Sequence, residues 1–329
     1  MKIFFLEKSI PFCSNDLNSG LLGGTEKTLI NITNELAKNK NLEIKVFNLC
    51  YNKEVINNVE WNNINNFNNS VFADVIIAFS DINLFNNFKS KKKFLWSHSI
   101  QNLEKFIRKK QLLSYLKHKP VLILEGEFHF KNRSFVTSFF GKKILKLAPD
   151  YEFISESIDV DFIPPKNCIF TTKSDRNLNL LLNAWERIFL SNKNAKLYIN
   201  PPFNLNQNQS NQNIFLREKG SKQKLISDLK NSRLMLVPGH KGEVYCLAAE
   251  EARELCIPIV TLGYGSLYER VIHNKTGFIA KNIDEFIYYS HKLLNDDNLY
   301  LQIRKNLYNL RNSRNFSHVA KDLLKLIIN

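Results

Sequence analysis

The chain lacks any apolar run of roughly eighteen residues, the length that a membrane-spanning helix needs. Its start, MKIFFLEKSI, is charged too soon for a secretory leader, and we interpret it as the first strand of a sheet. The cysteines are odd in number and scattered, and they form no C-x-x-C pair, which argues against a disulfide framework or a zinc site. We therefore expect reduced thiols in a cytoplasmic protein, buried as small apolar side chains, at Cys13, Cys50, Cys168, Cys246 and Cys256.

Acidic residues are scarce relative to basic ones: 31 Asp and Glu stand against 46 Lys and Arg, a net charge of +15. Between Lys89 and Lys146 there are 15 basic and 3 acidic residues, so this segment alone contributes 15 − 3 = +12. Its basic groups include Lys91, Lys92 and Lys93, and then Arg108, Lys109 and Lys110. Such a local basic face indicates a polyanionic partner, namely anionic lipid headgroups, a diphosphate-linked substrate or nucleic acid, although a basic surface without a partner has the same composition.

The 329 residues suffice for two domains, and a hydrophobic content of 44% is typical of a folded globular protein. In the first half, short apolar runs alternate with helical patterns, as expected for strands buried on both faces of a parallel sheet. The helix after Gly23 and Gly24 is predicted to run to about Asn39 with Thr25 as its N-cap. Apolar residues at helical spacing, with Lys and Arg between them, predict a basic amphipathic helix over 101–119.

After Tyr151 the alternation of strand and helix restarts, so we expect a second domain of the same kind. The segment Ser155–Lys166 is interpreted as the hinge, because Pro164 and Pro165 fit neither a helix nor a central strand. The prediction is an α/β protein with two doubly wound Rossmann-like domains facing each other across a cleft. The expected domains are 1–155 and 156–312, followed by a closing helix over 313–329 that could pack back on the first domain.

The segment from Val237 to Ala280 is the most informative part of the chain. An apolar strand is predicted to end at Val237 and to lead through a loop into a helix that carries Glu243 and, after seven intervening residues, Glu251. A second apolar strand and a short helix with Glu269 follow. This order brings carboxylates and free backbone amides to the edge beyond the carboxyl ends of the strands, where open α/β sheets bind nucleotides.

With these segments, the chain resembles a retaining glycosyltransferase of the GT-B fold, family 4 (group 1). The resemblance rests on the Gly23–Gly24–Thr25–Glu26 loop, the stretch from Cys168 to Ile188, the E-x7-E spacing of Glu243 and Glu251, the Gly263–Ile279 stretch, and FSHVAKDLLKLI near the end. It covers nearly all of the second half and only the outline of the first. The Asp159–Val160–Asp161 sequence mimics a metal motif of another glycosyltransferase fold, but it lies in the expected hinge and we interpret it as linker.

The resemblance implies roles for particular residues. Glu251 would hold the ribose hydroxyls of a nucleotide-sugar, and Glu243 those of the transferred sugar, whereas Glu250 would be structural. Arg176, with Lys173 as the second base and Thr172 beside it, would stabilise the diphosphate, although Asn177 stands where the family usually has Gly. Further donor contacts would come from Gly23 and Gly24 and from the amides of Val244, Tyr245, Cys246 and Leu247, and His98 would touch the sugar or the acceptor.

The implied function is transfer of a sugar, with retention and without a metal or other cofactor, to a lipid-linked or cell-envelope glycan acceptor. The basic first domain, through Lys91–Lys93 and Arg108–Lys110, would face the acceptor and an anionic membrane, as a cytoplasmic protein peripheral to the inner face of the membrane. The alternatives are an inactive GT-B scaffold or partner subunit, an epimerase of the same fold, and a basic nucleic-acid-binding protein. The last would show a recognisable binding module, and none is found in the sequence, so no nucleic acid partner is expected.

Overall fold

The computed structural model describes residues 1–18, 22–66, 72–200, 212–218 and 220–328. The chain divides into two compact units. Unit 1 consists of Met1–Ala148 together with Phe316–Asn329, and unit 2 is Pro149–Asn315.

Unit 1 is built on an eight-stranded sheet of order β3-β4-β2-β1-β5-β6-β7-β8. All neighbouring strands are parallel except β3 and β4, which are antiparallel. The strands are β1 (Lys2–Leu6), β2 (Glu43–Asn48), β3 (Glu54–Ile56), β4 (Val59–Asn63), β5 (Phe72–Phe79), β6 (Lys89–Trp96), β7 (Val121–Leu124) and β8 (Lys142–Ile144).

Unit 2 contains a six-stranded, fully parallel sheet of order β11-β10-β9-β12-β13-β14. Its strands are β9 (Asn167–Phe170), β10 (Lys196–Ile199), β11 (Ile214–Leu216), β12 (Leu234–Leu236), β13 (Ile259–Thr261) and β14 (Gly277–Ile279). In both sheets the strand order reverses direction along the chain, which is the predicted doubly wound topology.

Helices connect the strands within the described residues. Residues Met1–Ala148 of unit 1 contain α1 (Gly24–Ala37), α2 (Leu103–Arg108), α3 (Leu112–His118) and α4 (Glu127–Lys131). Unit 2 adds α5 (Tyr151–Ser155), α6 (Leu178–Ser191), α7 (Lys222–Lys230), α8 (Leu247–Glu254), α9 (Leu267–Arg270), α10 (Ile283–Asn295) and α11 (Asp297–Tyr308), and α12 (Phe316–Ile328) closes the chain.

Each sheet is buried by helices, which explains why its strands are continuous apolar runs. In unit 1, Ile76, Ile77 and Ala78 of β5 are all fully buried, although adjacent residues point to opposite faces. In unit 2, α6 packs Trp185 into the core, where the indole Nε1–H donates to the Gln212 carbonyl at 2.8 Å. The apolar runs that predicted these strands are therefore explained by burial of both faces of each sheet.

Two local expectations in unit 1 are wrong. The stretch 101–119 is not one helix, because Lys110 has a left-handed backbone (φ 53°) and separates α2 from α3. Helix α1 is capped by Gly23 instead of Thr25, and the Gly23 carbonyl accepts from the Lys27 amide at 3.1 Å. Helical periodicity continues across a break of about three residues, so spacing alone could not reveal the first difference.

The chain changes units at 148/149, whereas we expected a boundary at 155/156. The proline-containing segment Ser155–Lys166 lies within unit 2, where two arginines hold its backbone. Arg304 Nη2 donates to the Asp159 carbonyl at 2.9 Å, and Arg311 Nη2 donates to the Glu156 carbonyl at 2.6 Å. Helix α12 belongs to unit 1, and Lys92 Nζ of β6 donates to the carbonyl of its last residue, Ile328, at 2.6 Å.

Gly277 is required where β14 meets β13. Its φ is +157°, and a Cβ at this position would lie 2.1 Å from the Ile259 carbonyl oxygen, which belongs to the neighbouring strand. We expect Gly277→Ala to lower the free energy of unfolding by about 2–4 kcal/mol, since backbone of a central strand has to move. Urea denaturation measures the change. Gly220→Ala is the control, because its Cβ would meet only the flexible Lys224 side chain at 3.1 Å, and an equal loss there would contradict the steric explanation.

Candidate functional site

Three loops meet at the carboxyl edge of the unit 2 sheet: 171–177 after β9, 237–246 after β12, and 262–266 after β13. The last two are in direct contact, since Gly239 forms a bridge with Tyr264 and the Ser266 amide donates to the Glu243 carbonyl at 2.9 Å. A Cβ on Gly265 would lie 2.3 Å from the His240 carbonyl oxygen. Glycine at 265 therefore allows the backbone of the two loops to pack together.

Arg176 and His240 form the centre of this edge. Arg176 Nη1 lies 3.1 Å from His240 Nδ1, and the Gly242 amide donates to the same nitrogen at 3.0 Å. Because both neighbours are donors, Nδ1 is an acceptor and the ring proton is on Nε2. His240 thus holds the guanidinium in place, a role that the sequence analysis missed. Its position in the loop directly after β12 was the available signal.

Asn177 stands at the position where the resembled family usually has glycine. Its backbone is left-handed (φ 61°), a conformation that Gly adopts freely and that Asn tolerates better than most residues. The side-chain amide donates to the Gly239 carbonyl at 2.5 Å and so ties the Arg176 turn to the loop after β12. The substitution therefore preserves the turn and adds a bond.

Glu243 lies among these groups with one buried carboxyl oxygen, Oε2, that has no hydrogen-bond partner among the described residues. Burial raises the pKa of the Glu243 carboxyl, and the neighbouring Arg176 and a hydrogen bond with Cys246 oppose part of that rise. The hydroxyls of Thr172 and Ser266 are likewise buried without partners in the described part of the chain. Unpaired buried polar atoms are costly, so this edge is prepared for a ligand with hydroxyl and acceptor groups.

The loop from Glu243 to Cys246 precedes the helix, which corrects the expectation that Glu243 lies on it. Helix α8 begins at Leu247 with Cys246 as its N-cap, and Ala249 makes the first bond back, to the Cys246 carbonyl at 3.2 Å. The Leu247 amide therefore precedes the first intrahelical bond, as predicted for an anion contact. Val244 is buried, and burial raises the pKa of the Cys246 thiol.

Glu251 and Glu250 differ in surroundings, although they are adjacent on α8. Glu250 is buried between two arginines, with Arg253 Nη1 at 2.5 Å and Arg270 Nη1 at 2.8 Å. Arg270 in turn lies over the Tyr245 ring at 4.0 Å. Glu251 is half-buried. Glu250 therefore links α8 to α9 through Arg270, which is the structural role expected for it.

The remaining predicted donor residue, Lys173, is exposed, and its carbonyl accepts from the Arg176 amide at 3.0 Å. The turn from Lys173 to Arg176 places the guanidinium inward and leaves the lysine at the surface. Arg176, Glu243 and the start of α8 are thus brought together in unit 2, with Thr172 beside them.

In unit 1, His98 follows β6 and pairs with Glu125, which follows β7. His98 Nδ1 lies 2.5 Å from Glu125 Oε1, and both side chains are largely buried. The imidazole stacks on Phe79 and Trp96, with ring centroids at 5.0 and 5.7 Å. Its Nε2 is buried and has no hydrogen-bond partner among the described residues. Glu125 was not predicted as a site residue, although its place directly after the apolar strand β7 was a signal in the sequence.

A second histidine contacts the backbone of Glu125. The Glu125 amide donates to His129 Nδ1 at 3.2 Å, and His129 Nε2 lies 3.2 Å from the Ser99 carbonyl. Burial lowers the pKa of His129 to about 4, so that ring is neutral near pH 7. Of the two histidines, His98 is the one whose ring contacts the Glu125 carboxylate.

Gly23 and Gly24 open α1, but carboxylates already face this helix end. A Cβ on Gly23 would lie 2.7 Å from Glu26 Oε2, and Ser9 Oγ donates to Glu26 Oε1 at 2.9 Å. The Ser9 amide donates to Glu7 Oε1 at 2.6 Å, and burial raises the pKa of Glu7. Since carboxylates repel phosphate, the geometry here gives no support to the expected phosphate contact.

The basic residues expected on one face lie at two edges of the unit 1 sheet. Lys91–Lys93 lie on β6 before its pairing with β7 begins at Phe94. Arg108 is the last residue of α2, and Lys109 and Lys110 follow it. The adjacent Gln111 Nε2 donates at 2.9 Å to Asp81, which caps the turn directly after β5. The second group is therefore near the carboxyl edge, where His98 lies.

Neither a metal cluster nor a membrane-spanning helix is present in the described residues. They contain no cluster of three or more His, Cys, Asp or Glu side chains that could hold a metal ion. In the same ranges, no helix has the length and apolar character required to cross a bilayer.

Solved structures with the same architecture are numerous. WaaG, a glycosyltransferase involved in lipopolysaccharide biosynthesis, superimposes with a TM-score of 0.69 at 13% identity, covering 99% of each chain. HepE from Anabaena, in complex with UDP-glucose, gives 0.70 at 13% identity over 100% of this chain and 99% of its own. S. aureus TarM, in a complex that contains UDP, gives 0.60 at 16% identity over 78% of this chain, which spans only 55% of TarM. No curated protein matches the chain by sequence.

These likenesses define the class as a protein of the GT-B fold with two Rossmann-like domains, as predicted. Residues 203–310 match the family model described as glycosyl transferases group 1. This match lies within unit 2, and it agrees with the predicted family and with the predicted class of enzyme, a glycosyltransferase.

The buried Glu243 carboxyl should make stability depend on pH. Its pKa in the folded protein is raised above the ordinary value of 4.5, so the folded state binds the proton more tightly than the unfolded state. Stability is then lost as pH rises from about 4.5 through the raised pKa. We expect Glu243→Gln to melt at a higher temperature than the wild type at pH 8, and to melt with it below pH 4.5. Scanning calorimetry across this range measures both. A lower melting temperature for Glu243→Gln at pH 8 would contradict the assignment.

Proposed function

We propose that the protein is a retaining, metal-independent glycosyltransferase that moves a sugar from a nucleotide-sugar to a lipid-linked or cell-envelope glycan acceptor. The observation that carries the proposal is the group of Arg176, His240 and Glu243 at the carboxyl edge of the unit 2 sheet, next to the start of α8. The bound UDP and UDP-glucose of the structural neighbours support a nucleotide-sugar as the donor.

The donor's hydroxyl groups are matched to two carboxylates. A carboxylate accepts hydrogen bonds from two vicinal hydroxyls, and the unpartnered Oε2 of Glu243 is free to take one from the transferred sugar. Glu251, half-buried on the first turns of α8, is assigned to the ribose diol. Burial of Glu243 strengthens such a bond, because the surrounding dielectric is low.

Transfer leaves negative charge on the nucleoside diphosphate. Arg176 is assigned to stabilise this charge, and the contact of its guanidinium with His240, which also accepts from the Gly242 amide, supports the assignment. The amides at the start of α8 add partial positive charge. With a fixed guanidinium and helix amides in this role, no divalent cation is required.

In this proposal the acceptor hydroxyl attacks the face from which the diphosphate leaves, and the leaving phosphate takes its proton. No protein nucleophile is assigned. His98, oriented by Glu125 and with Nε2 unpartnered in the described structure, is assigned to a hydroxyl of the sugar or acceptor. Its buried, stacked ring has little freedom to reorient, which favours a positioning role.

A surface of unit 1 supports docking on an anionic membrane. On the surface formed by α2 and α3, four large apolar side chains are exposed to solvent: Leu103, Ile107, Leu113 and Leu116. The aromatic residues Phe135 and Phe139 of the same unit are also exposed. Arg108, Lys109 and Lys110 are exposed in the same α2–α3 stretch. Exposed apolar residues beside basic ones are typical of helices that lie in the membrane interface. Docking here would bring the enzyme, from the cytoplasm, to a lipid-linked acceptor.

Loss of the Glu251 carboxylate should weaken nucleotide binding. We expect Glu251→Ala to bind UDP about 30-fold more weakly, since two hydrogen bonds to a charged acceptor are lost. Isothermal titration calorimetry in excess EDTA measures the affinity, with Glu186→Ala as the control, an exposed glutamate of α6 in the same unit. Unchanged affinity would argue against the ribose role, and wild-type binding that appears only with Mn²⁺ would overturn metal independence.

Docking should depend on the basic residues next to the exposed apolar surface. Neutralising Arg108, Lys109 and Lys110 to Gln should reduce binding to vesicles containing anionic lipid by up to about 100-fold, at roughly 1 kcal/mol for each charge. Added salt should reduce wild-type binding as well. Vesicle co-sedimentation provides the measurement, and the Lys91, Lys92 and Lys93 triple Gln variant removes the same charge at the other edge. Equal loss in both variants would contradict docking through α2–α3.

A further inference from the structure

A recess in unit 1 arises because neighbouring strands differ in length. Strand β6 has eight residues, but its pairing with β7 begins only at Phe94, opposite Val121. The preceding residues, Lys89–Lys93, pair with β5 alone in the described structure. The space beside them is a cavity of about 470 Å³ that reaches Lys119, directly after α3, and Leu326 of α12. It lies at the amino edge of the sheet, away from His98 at the carboxyl edge.

Positive charge dominates this recess. Five lysines and one histidine line it, and none of the described lining residues is acidic: Lys91, Lys92, Lys93, His118, Lys119 and Lys143. Lys91 is balanced by Asp74 at 2.7 Å, and Lys92 Nζ donates to the carbonyls of Ile327 and Ile328 at 3.1 and 2.6 Å. For Lys119 and Lys143, the described structure contains no acidic partner. Several ammonium groups around one cavity repel one another unless an anion offsets their charge.

A hydrogen-bonded chain orients one wall of the recess. Lys93 Nζ donates to His118 Nδ1 at 3.0 Å, and His118 Nε2 lies 2.9 Å from Asn86 Oδ1. Burial, followed by the charges of Lys93 and Lys117, lowers the pKa of His118 to about 4. Burial and Lys117 also lower the pKa of Lys93. Protonation of His118 and Lys93 is therefore less favourable in the recess than in water. A bound anion would make it more favourable.

Lys119 supports the view that the recess is built for a ligand. Its backbone is left-handed (φ 41°), a conformation that costs a residue with a side chain roughly 1 kcal/mol or more. Glycine is the usual residue at this position after a helix. A lysine here accepts backbone strain and adds one more charge to a cavity that already contains four lysines.

We propose that the recess bounded by Lys93, Lys119 and Lys143 binds a small soluble anion of the phosphate class, at a site separate from that of unit 2. Leu326, Phe94 and Val121 supply an apolar lining to the cavity. The large exposed apolar residues that a bilayer would take up lie instead on the α2–α3 surface and at Phe135 and Phe139. A phosphate group, with several acceptor oxygens and more than one negative charge, suits the array of ammonium donors.

Inorganic pyrophosphate, titrated into the full chain with calorimetry and NMR, tests the site. We expect one equivalent to bind, and Lys119→Gln and Lys143→Gln each to weaken it about tenfold, since each removes one charge-assisted hydrogen bond. The His118 ring resonances should move, and the pKa of His118 should rise from about 4 because the anion favours its charged form. Lys38→Gln is the control, a charge-matched change at an exposed residue beyond α1 and outside the recess.

The same titration repeated on UDP-saturated protein separates this site from the nucleotide site. Pyrophosphate should still shift His118, and it should do so even if UDP does not bind at all. Unchanged affinity in both recess variants, or His118 resonances that do not move, would overturn the proposal. Binding to vesicles of phosphatidic acid without binding to soluble pyrophosphate would overturn it as well, because the ligand would then be a membrane surface.

Discussion

The unit 2 site depends on one backbone contact, the packing of the loop after β13 against the loop after β12. Gly265 lies so close to the His240 carbonyl oxygen that a Cβ would stand 2.3 Å away. This contact fixes the position of His240, which holds Arg176, and of Glu243, whose carbonyl accepts from Ser266. Since parallel strands end at one edge, the three loops have no other place to meet. A guanidinium and a buried carboxylate are thereby oriented before a ligand binds, which is the condition for electrostatic catalysis.

The two units use buried charge differently. In unit 2, acids near the site that serve the fold are neutralised by arginine, as Glu250 is by Arg253 and Arg270, whereas Glu243 keeps an unpartnered oxygen within the described structure. In unit 1, Glu125 is paired with His98, and the lysine excess is divided between two edges of the sheet. Groups that stabilise the protein are paired, and groups that await a ligand are left incomplete at a cost in stability.

Much of the fold was predictable because buried parallel strands are continuous apolar runs. Strand β1 was predicted in this way from the apolar residues at the start of the chain. The short strands β3, β4 and β8 were missed, since each has three to five residues and little apolar periodicity. The break between α2 and α3 and the Gly23 cap were also missed, because spacing does not distinguish one helix from two in line. Of the candidate site residues, the family resemblance pointed to Arg176 and His98 but not to their partners, His240 and Glu125.

The sequence alone determined the class of fold, the order of its elements and the segment around Glu243 and Glu251, because these follow from local patterns of burial and from motif spacing. Only the tertiary structure decided which groups meet: Arg176 with His240, 64 residues apart, and Lys93 with His118, 25 residues apart. It also decided that Lys91–Lys93 and Arg108–Lys110 belong to different edges of one sheet. The reason is geometric, since a charge in the sequence acquires its neighbours from strand order and register, and neither can be read from composition.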